Sequence, residues 1–410
     1  MFGPATLSLL ALLLIAAVLT RQAPLFLLAL ALLLAAGLSR LYERHCLTGL
    51  RYRRRLSRQQ APFGATVELE LEIVNEKLLP LAWLEVQEEL PRDLPPRQGR
   101  VLNRLRPSRP LLHALLALRP FERVRRRYQI PCLRRGEHTF GPALVRTGDL
   151  FGLVNRDLEI DTTETLVVYP RVVPLAALGL PAHQPLGDLR TRSWLFEDPS
   201  RIAGAREHRP GESLRRIHWA ATARTQRLQS RVFEATTSHA LLLCLNLQTI
   251  RSTFATLEYD PDALELTICA AASIAAWALA QGLAVGLVSN GIHRLSPVPV
   301  AVEARAGPDH LPRLLEALGR LQPLARQPFT ATLAAGARRL PYGATVVAIG
   351  AVLTPAIAAA LVGLRRRGHP VVLVATGREA PAGPLDGVVV RRVGPPERWR
   401  DLPALAPVAG

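Results

Sequence analysis

The chain is poor in lysine, methionine, cysteine and aromatic residues. Of its 51 lysines and arginines, only Lys77 is lysine. With 34 prolines and abundant alanine and leucine, that bias reads as a genome-wide coding preference, not selection at each position. The four cysteines, Cys46, Cys132, Cys244 and Cys269, have no paired spacing. This excludes a disulfide-stapled scaffold and a CxxC zinc site, and it suits a reducing compartment. Aromatic residues are 5% of the chain, too few to interleave with arginine as a base-stacking platform, so nucleic acid is not expected as a partner. No G-x-x-x-x-G-K-[ST] loop or G-x-G-x-x-G turn offers a nucleotide cradle. A G-x-S-x-G nucleophile elbow is also missing. The ten histidines are scattered, and His208 and His218, ten residues apart, read as structural. These patterns predict no enzyme and no cofactor.

What is present is length, apolar content and positive charge. A chain of 410 residues suggests two or three domains. Apolar residues at 49% and charged residues at 20% describe a globular chain. The net charge of +18 attracts anionic surfaces: lipid headgroups, nucleic acid or an acidic protein.

Phe2 to Thr20 carries no charge, Arg21 and Gln22 interrupt, and Ala23 to Leu38 is a second uncharged run. Both are near the short end of the about 17 to 25 residues that span a bilayer as a helix. Pro24 sits where a helix could start. Residues 1–39 therefore read as a hairpin of two transmembrane helices. A cleaved signal peptide would need basic residues near its start, and Phe2-Gly3-Pro4 has none. A single long helix is the other alternative. Arginines 40, 44, 51, 53, 54, 55 and 58 follow against one acid, Glu43. Such a cluster is the positive-inside signal, predicting an inner or plasma membrane protein with its bulk in the cytoplasm. Residues 40–59 read as a basic juxtamembrane linker that could also hold anionic lipid.

Residues 60–172 read as a β-sandwich-like module. Thr66 to Val74 alternates strictly, with Val67, Leu69, Leu71 and Ile73 on one face and Glu68, Glu70 and Glu72 on the other. Leu81 to Val86 reads as a strand with Trp83 facing the core. Leu111 to Leu118, Tyr128 to Cys132 and Leu166 to Tyr169 are further strands. Arg123, Arg125 and Arg127 would share a strand face, either as a solvated edge that resists aggregation or as a partner-binding stripe. Residues 173–204 read as a linker.

Residues 236–394 alternate strand and helix: strands at 240–245, 283–288, 345–349, 370–375 and 388–390, and helices at 261–281, 309–321 and 354–367. Continuous apolar strands between helices predict a doubly wound α/β parallel sheet covered on both faces. A Pro- and Ala-rich tail occupies 395–410.

Between the two modules, within 205–235, lies Arg206-Glu207-His208-Arg209-Pro210-Gly211-Glu212-Ser213-Leu214-Arg215-Arg216-Ile217-His218-Trp219-Ala220-Ala221-Thr222-Ala223-Arg224. It resembles the signature of the domain-of-unknown-function 58 (DUF58) family, roughly R-E-Y-x-P-G-D-x-x-R-x-I-x-W-x-x-S-A-R. His208 replaces tyrosine, Glu212 aspartate and Thr222 serine. Upstream, Gly148-Asp149-Leu150-Phe151-Gly152-Leu153 resembles a second family motif, D-P-F-G-L, carried here by Asp149, Phe151 and Gly152. The resemblance implies two N-terminal helices, a β module and a von Willebrand factor A-like α/β domain. It also implies partnership with a MoxR-type AAA+ ATPase and company with a transglutaminase-like membrane protein.

By their own chemistry, Pro210-Gly211 makes a tight turn. Arg215 and Arg216 point apart, so one can pair with Glu207 or Glu212 while the other reaches outward. Trp219 offers a large buried anchor. From Arg201 to Arg231 there are eight arginines against two glutamates. They form either an ion-pair latch onto the α/β domain or a docking surface for an acidic partner. Von Willebrand A-type domains often hold a divalent ion through D-x-S-x-S after the first strand. The aligned residues here are Asn246, Gln248 and Ile250, and the strand at 345–349 ends in Gly350. Without an anchoring carboxylate, weak or no metal binding is expected, with Thr249 and Asp260 as nearby oxygen donors. The leading expectation is a bacterial-type membrane-anchored adaptor that binds proteins to assemble or activate membrane or envelope complexes. The alternative is an arginine-rich electrostatic binder of nucleic acid or anionic lipid.

Overall fold

The structure is a computed structural model describing residues 4–102, 109–149, 155–181, 186, 197–209, 213, 216–235, 240–250, 259–293, 296–341, 343–378 and 385–403. The chain divides into two compact units, Met1–Val168 and Tyr169–Gly410.

The first unit opens with helices α1 (Pro4–Leu19) and α2 (Ala23–His45), with Pro24 in the first turn of α2. Their buried positions are small, Ala17, Ala29 and Ala36, while Leu12, Ile15, Leu27 and Leu34 face outward. Small residues let two helices approach closely, and leucines outside suit an apolar solvent. The most apolar window of α2 reaches a mean hydropathy of 2.1 and is long enough to cross a bilayer; α1 is shorter. The helix does not stop at Leu38. It runs on through Arg40 and Arg44 because no proline or turn-forming glycine intervenes before Gly49, which takes a φ of 67°.

The basic stretch beyond is not a linker. Leu50–Leu56 is β1, the first strand of a β module that also contains β2 (Gln60–Ala61), β3 (Thr66–Asn75), β4 (Leu81–Glu89), β5 (Arg100–Leu102), β6 (Leu111–Leu118), β7 (Arg123–Pro131), β8 (Gly136–Phe140), β9 (Ala143–Gly148), β10 (Asn155–Ile160) and β11 (Glu164–Val168). These strands form sheets ordered β1-β3-β7, β10-β9-β4-β6-β5 and β2-β11-β8. Val67, Leu69, Leu71 and Ile73 of β3 are buried, as their alternation requires.

The outward face of β3 explains the arginines. Arg53 stands opposite Glu72 and Arg55 opposite Glu70 on one side. Arg125 and Arg127 stand opposite the same two glutamates on the other. Arg125 donates to Glu72 at 3.1 Å and Arg127 to Glu70 at 2.9 Å, while Arg127 also lies 3.2 Å from Glu68. The hydrogen bond from Arg125 holds the Glu72 carboxyl below the usual carboxylate range. The stripe is thus neither bare nor merely solvated: β7 is an outer strand whose arginines pair across to β3.

Inside the module, Arg54 of β1 reaches Glu88 of β4 with both side chains buried, and Tyr52 donates to the same carboxylate. Arg54 also donates to the Thr162 carbonyl at 2.6 Å. Burial pushes the Glu88 carboxyl up while Arg54 pulls it down. Trp83 does not face the core. A register irregularity between Leu81 and Leu84 turns Leu84 and Val86 inward and leaves Trp83 half-buried.

In the second unit, β12 (Glu197–Glu207) pairs antiparallel with β13 (Gln229–Ala235), with α3 (Trp219–Thr225) between them. Then follow β14 (Ala240–Asn246), α4 (Pro261–Ala280), β15 (Ala284–His293), β16 (Ser296–Arg305), α5 (His310–Gly319), β17 (Leu321–Ala325), α6 (Phe329–Ala337), β18 (Thr345–Gly350), α7 (Pro355–Arg366), β19 (Val371–Ala375) and β20 (Val389–Arg392). Sheet order is β16-β15-β14-β18-β19-β20. Strands β14, β15, β18, β19 and β20 are parallel, and β16 and β17 add antiparallel to β15. Leu241, Leu243 and Leu245 of β14 pack with α4 and α5, whereas Leu242 and Cys244 pack with α6 and α7. Cys244 is a buried apolar filler, its thiol pushed up by desolvation. Helix α4 meets the length and hydropathy of a membrane span, yet it is mostly buried against the sheet.

Parts of the expected linker and tail belong to this unit. Leu175, Leu178, Leu180 and Leu186 join its core. After β20, Trp399 donates to Asp262 at 2.9 Å, and Arg171 donates to the carbonyls of Trp399, Arg400 and Leu402.

Candidate functional site

The strand pair β12–β13 with α3 carries the signature residues. Glu207 stands opposite Gln229 and Arg206 opposite Ser230. The His208 amide donates to the Leu228 carbonyl at 2.8 Å, and its Nδ1 lies 2.9 Å from the Ser230 hydroxyl. Ile217 is buried and bridges to Ser230. His218 begins α3: its Nδ1 accepts from the Ala221 amide at 3.1 Å, while its own amide donates to the Gln229 carbonyl at 2.8 Å. The ring thus does the capping usually done by Ser, Thr, Asp or Asn. Thr222 accepts from the Gln229 amide at 3.0 Å, so the residue replacing the family serine ties α3 to β13 by its hydroxyl.

This scaffold faces Trp219 outward. Its ring is 66% exposed, so it is not the buried anchor expected from its size. It is the first residue of a short helix tied to β13 through the His218 amide and the Thr222 hydroxyl. Leu228, just before β13, is 47% exposed. Arg206, Arg209, Arg224 and Arg227 are exposed, and Arg216 is partly so. Glu207 pairs with Arg227 at 3.5 Å in open solvent, a partner the sequence reading did not single out. Such exposed pairs contribute about 0–1 kcal/mol. Pro210, Gly211, Glu212 and Arg215 lie outside the described residues, as do Phe151 and Gly152 of the second motif. A solvent-facing tryptophan amid arginines has the composition of an interface hot spot.

Asp149 of the second motif belongs to the other unit. Its Oδ2 accepts from the Ser39 hydroxyl of α2 at 2.9 Å, with both residues buried. The Trp83 indole donates to its carbonyl at 3.3 Å. Ser39 was legible as the first polar residue after the second apolar run, but nothing in the sequence tied it to Asp149.

At the C-terminal edge of the parallel sheet, Asn246 is buried and closed on its neighbours. Its Oδ1 accepts from the Asn290 amide group at 2.9 Å and from the Gln248 backbone amide at 3.1 Å. Asn290 in turn accepts from the Leu247 amide at 2.9 Å. A Cβ on Gly350 would sit 2.9 Å from the Asn246 Cβ, which leaves no room for an acid there. Thr249 accepts from the Asp260 amide at 2.8 Å, and Asp260 caps α4 through Asp262 and Ala263. Gln248 and Ile250 are partly buried. The oxygens nearest the expected metal position are therefore engaged in backbone capping and amide pairing. Among the described residues, no three His, Cys, Asp or Glu side chains cluster as metal ligands.

Residues 204–390 match the sequence model of the family described as protein of unknown function DUF58. The uncharacterized protein YeaD of Bacillus subtilis (strain 168) is 29% identical over 164 residues. That match covers 40% of this chain and 38% of YeaD, so the chain spans well under half of that relative. Among solved structures, a CARDB domain from Pyrococcus furiosus aligns over 29% of this chain and 91% of its own, at 10% identity and a TM-score of 0.21. A cohesin module from a Clostridium perfringens family 33 glycoside hydrolase aligns over 30% and 97%, at 16% identity and a TM-score of 0.21. Those scores carry no functional argument. Residues 204–390, which hold the family-like signature and most of the parallel sheet, are therefore the part of the chain that matches the DUF58 family.

Proposed function

We propose that this chain is a membrane-anchored, non-enzymatic adaptor that docks a protein partner on the signature strand pair. The observation that carries the reading is the outward-facing Trp219, held on a helix whose cap and inner face are fully engaged. A large apolar ring left in water by an otherwise satisfied segment gains most from a partner that covers it. Arginines around it select a partner with carboxylates. The α/β domain reads as a von Willebrand factor A-like binding module in which amide pairing has replaced the metal. The partner proposed from family resemblance is a MoxR-type AAA+ ATPase, with a transglutaminase-like membrane protein as a further member of the assembly. Helices α1 and α2 would hold the chain in an inner or plasma membrane, with the arginines after them keeping the rest in the cytoplasm.

The electrostatic-binder reading draws less support. Its arginine-rich strand β7 already faces Glu68, Glu70 and Glu72 across the sheet.

The test is affinity purification of the full chain from native membranes in mild detergent, with nuclease and moderate salt. An AAA+ ATPase should co-purify with the wild type and be lost with Trp219→Ala. Equal recovery from both, or recovery only of salt-labile lipid or nucleic acid, would overturn the reading.

A further inference from the structure

The end of the β module that α2 enters has an unusual surface. Loops 46–49, 76–80 and 119–122 meet there, because Leu50 pairs with Asn75, Val74 with Arg123 and Leu81 with Leu118. Two of these turns carry a large apolar residue in the open: Leu78 is 77% exposed and Phe121 is 65% exposed. They are adjacent turns, since the Phe121 amide donates to the Lys77 carbonyl at 3.3 Å. Phe121 has a φ of 55°, a left-handed conformation that a bulky residue rarely adopts. Single exposed apolar residues are ordinary on a protein surface. Two on touching turns, at the one end that continues into an apolar helix, are a different observation.

The contacts of α2 fix how close this end lies to the apolar segment. Ser39 follows directly on the uncharged run that ends at Leu38, and it is bonded to Asp149. Glu43 lies 3.4 Å from Arg156. Lys77 donates to the carbonyls of Cys46 and Thr48, which close the helix. From Ser39 to Cys46 an α-helix rises about 10 Å, a few ångströms more than the roughly 5–7 Å depth of a headgroup layer, so the turns beside Cys46 lie at the outer boundary of that layer. The module therefore begins where the apolar helix ends, with no length of free chain between them.

We propose that this end of the β module is a membrane-docking surface, with Leu78 and Phe121 resting against the outer face of the lipid headgroups. The proposal rests on the reading of α1 and α2 as membrane-embedded. Arg119, two residues before Phe121, is exposed and complements anionic headgroups, while Arg123 lies 3.4 Å from Glu72. Apolar side chains at this depth sit in the interfacial zone, where aromatic residues are favoured. Helix and rim together would hold the module in one orientation on the bilayer.

The test places a nitroxide on one cysteine at a time in the full chain, reconstituted in vesicles of mixed zwitterionic and anionic phospholipid. The four native cysteines are buried. Labels go at Leu78, at Phe121, at Leu32 within α2, and at Leu133 beyond β7, which is also exposed at 60% but lies at the other end of the module. Accessibility to oxygen and to a polar nickel complex is read at each. The proposal expects Leu32 to read as hydrocarbon, Leu78 and Phe121 as interface, and Leu133 as water. If Leu32 reads as hydrocarbon while Leu78 and Phe121 match Leu133, the docking surface is wrong and the membrane helices stand. If Leu32 itself reads as water, the membrane reading falls and takes this proposal with it. Two independent label sites keep the result interpretable if one perturbs its turn.

Discussion

Strand β7 and the signature strand pair are both rich in arginine, yet their side chains meet different fates. On β7, Arg125 and Arg127 face glutamates spaced two residues apart on β3, and each finds a carboxylate within 3.1 Å. Around α3, Arg224 and Arg227 are exposed beside a 66% exposed tryptophan, and Arg227 pairs with Glu207 in open solvent. The same residue type is a structural cross-strand tie in one place and an open surface in the other. What separates them is the strand that pairs alongside, not the count of arginines.

The contrast can be broken most forcefully from inside the β module. Removing one partner of the buried Arg54–Glu88 pair leaves an uncompensated charge. Arg54→Ala should therefore cost about 3–5 kcal/mol of stability, read by denaturant unfolding of the full chain. A loss near zero would mean that water or a shifted carboxyl replaces the arginine without penalty. Next in size is the cap of α4. Asp260→Ala leaves the amides of Asp262 and Ala263 without their acceptor and should cost about 1 kcal/mol in the same assay.

Acid should sharpen the comparison further. The Glu72 carboxyl is lowered by Arg125, so its contribution is present above the unfolded glutamate value and lost as pH falls through the folded one. Below about pH 4.3, the wild type should lose stability more steeply than Glu72→Gln. Equal slopes would show that the ladder is not energetically coupled. The smallest effect belongs to the open surface. Arg227→Ala breaks a pair in which both side chains are mostly exposed, so unfolding should shift by no more than about 0.5 kcal/mol.

Much of the fold was readable from pattern alone. The strand at Leu111–Leu118 and the alternation of β3 follow from apolar spacing and burial on one side. The parallel strands declare themselves as short apolar runs, because both of their faces are covered. Strands β16 and β17 did not, since Pro297, Pro299 and Pro323 break the apolar signal on strands added at the antiparallel side of the sheet. The basic segment after α2 read as a linker because its charge masked the period of β1, in which Tyr52 and Arg54 point inward and Arg53 and Arg55 outward. For the site, the signature gave the residues but not their exposure. Trp219 was expected inside because of its size, and whether a ring is buried depends on what packs over a short helix, which spacing does not encode. The bond from Ser39 to Asp149 spans 110 residues, beyond any local pattern.

The central claim is that the open arginine–tryptophan surface recruits a partner while the paired arginine ladder holds the fold. Quantitative co-purification from native membranes, run beside thermal unfolding on the same wild-type, Trp219→Ala and Arg125→Ala proteins, tests it directly. The account predicts that Trp219→Ala loses the partner and keeps the wild-type melting temperature, whereas Arg125→Ala keeps the partner and melts lower. The reverse pattern, or partner loss from both variants alike, would contradict it.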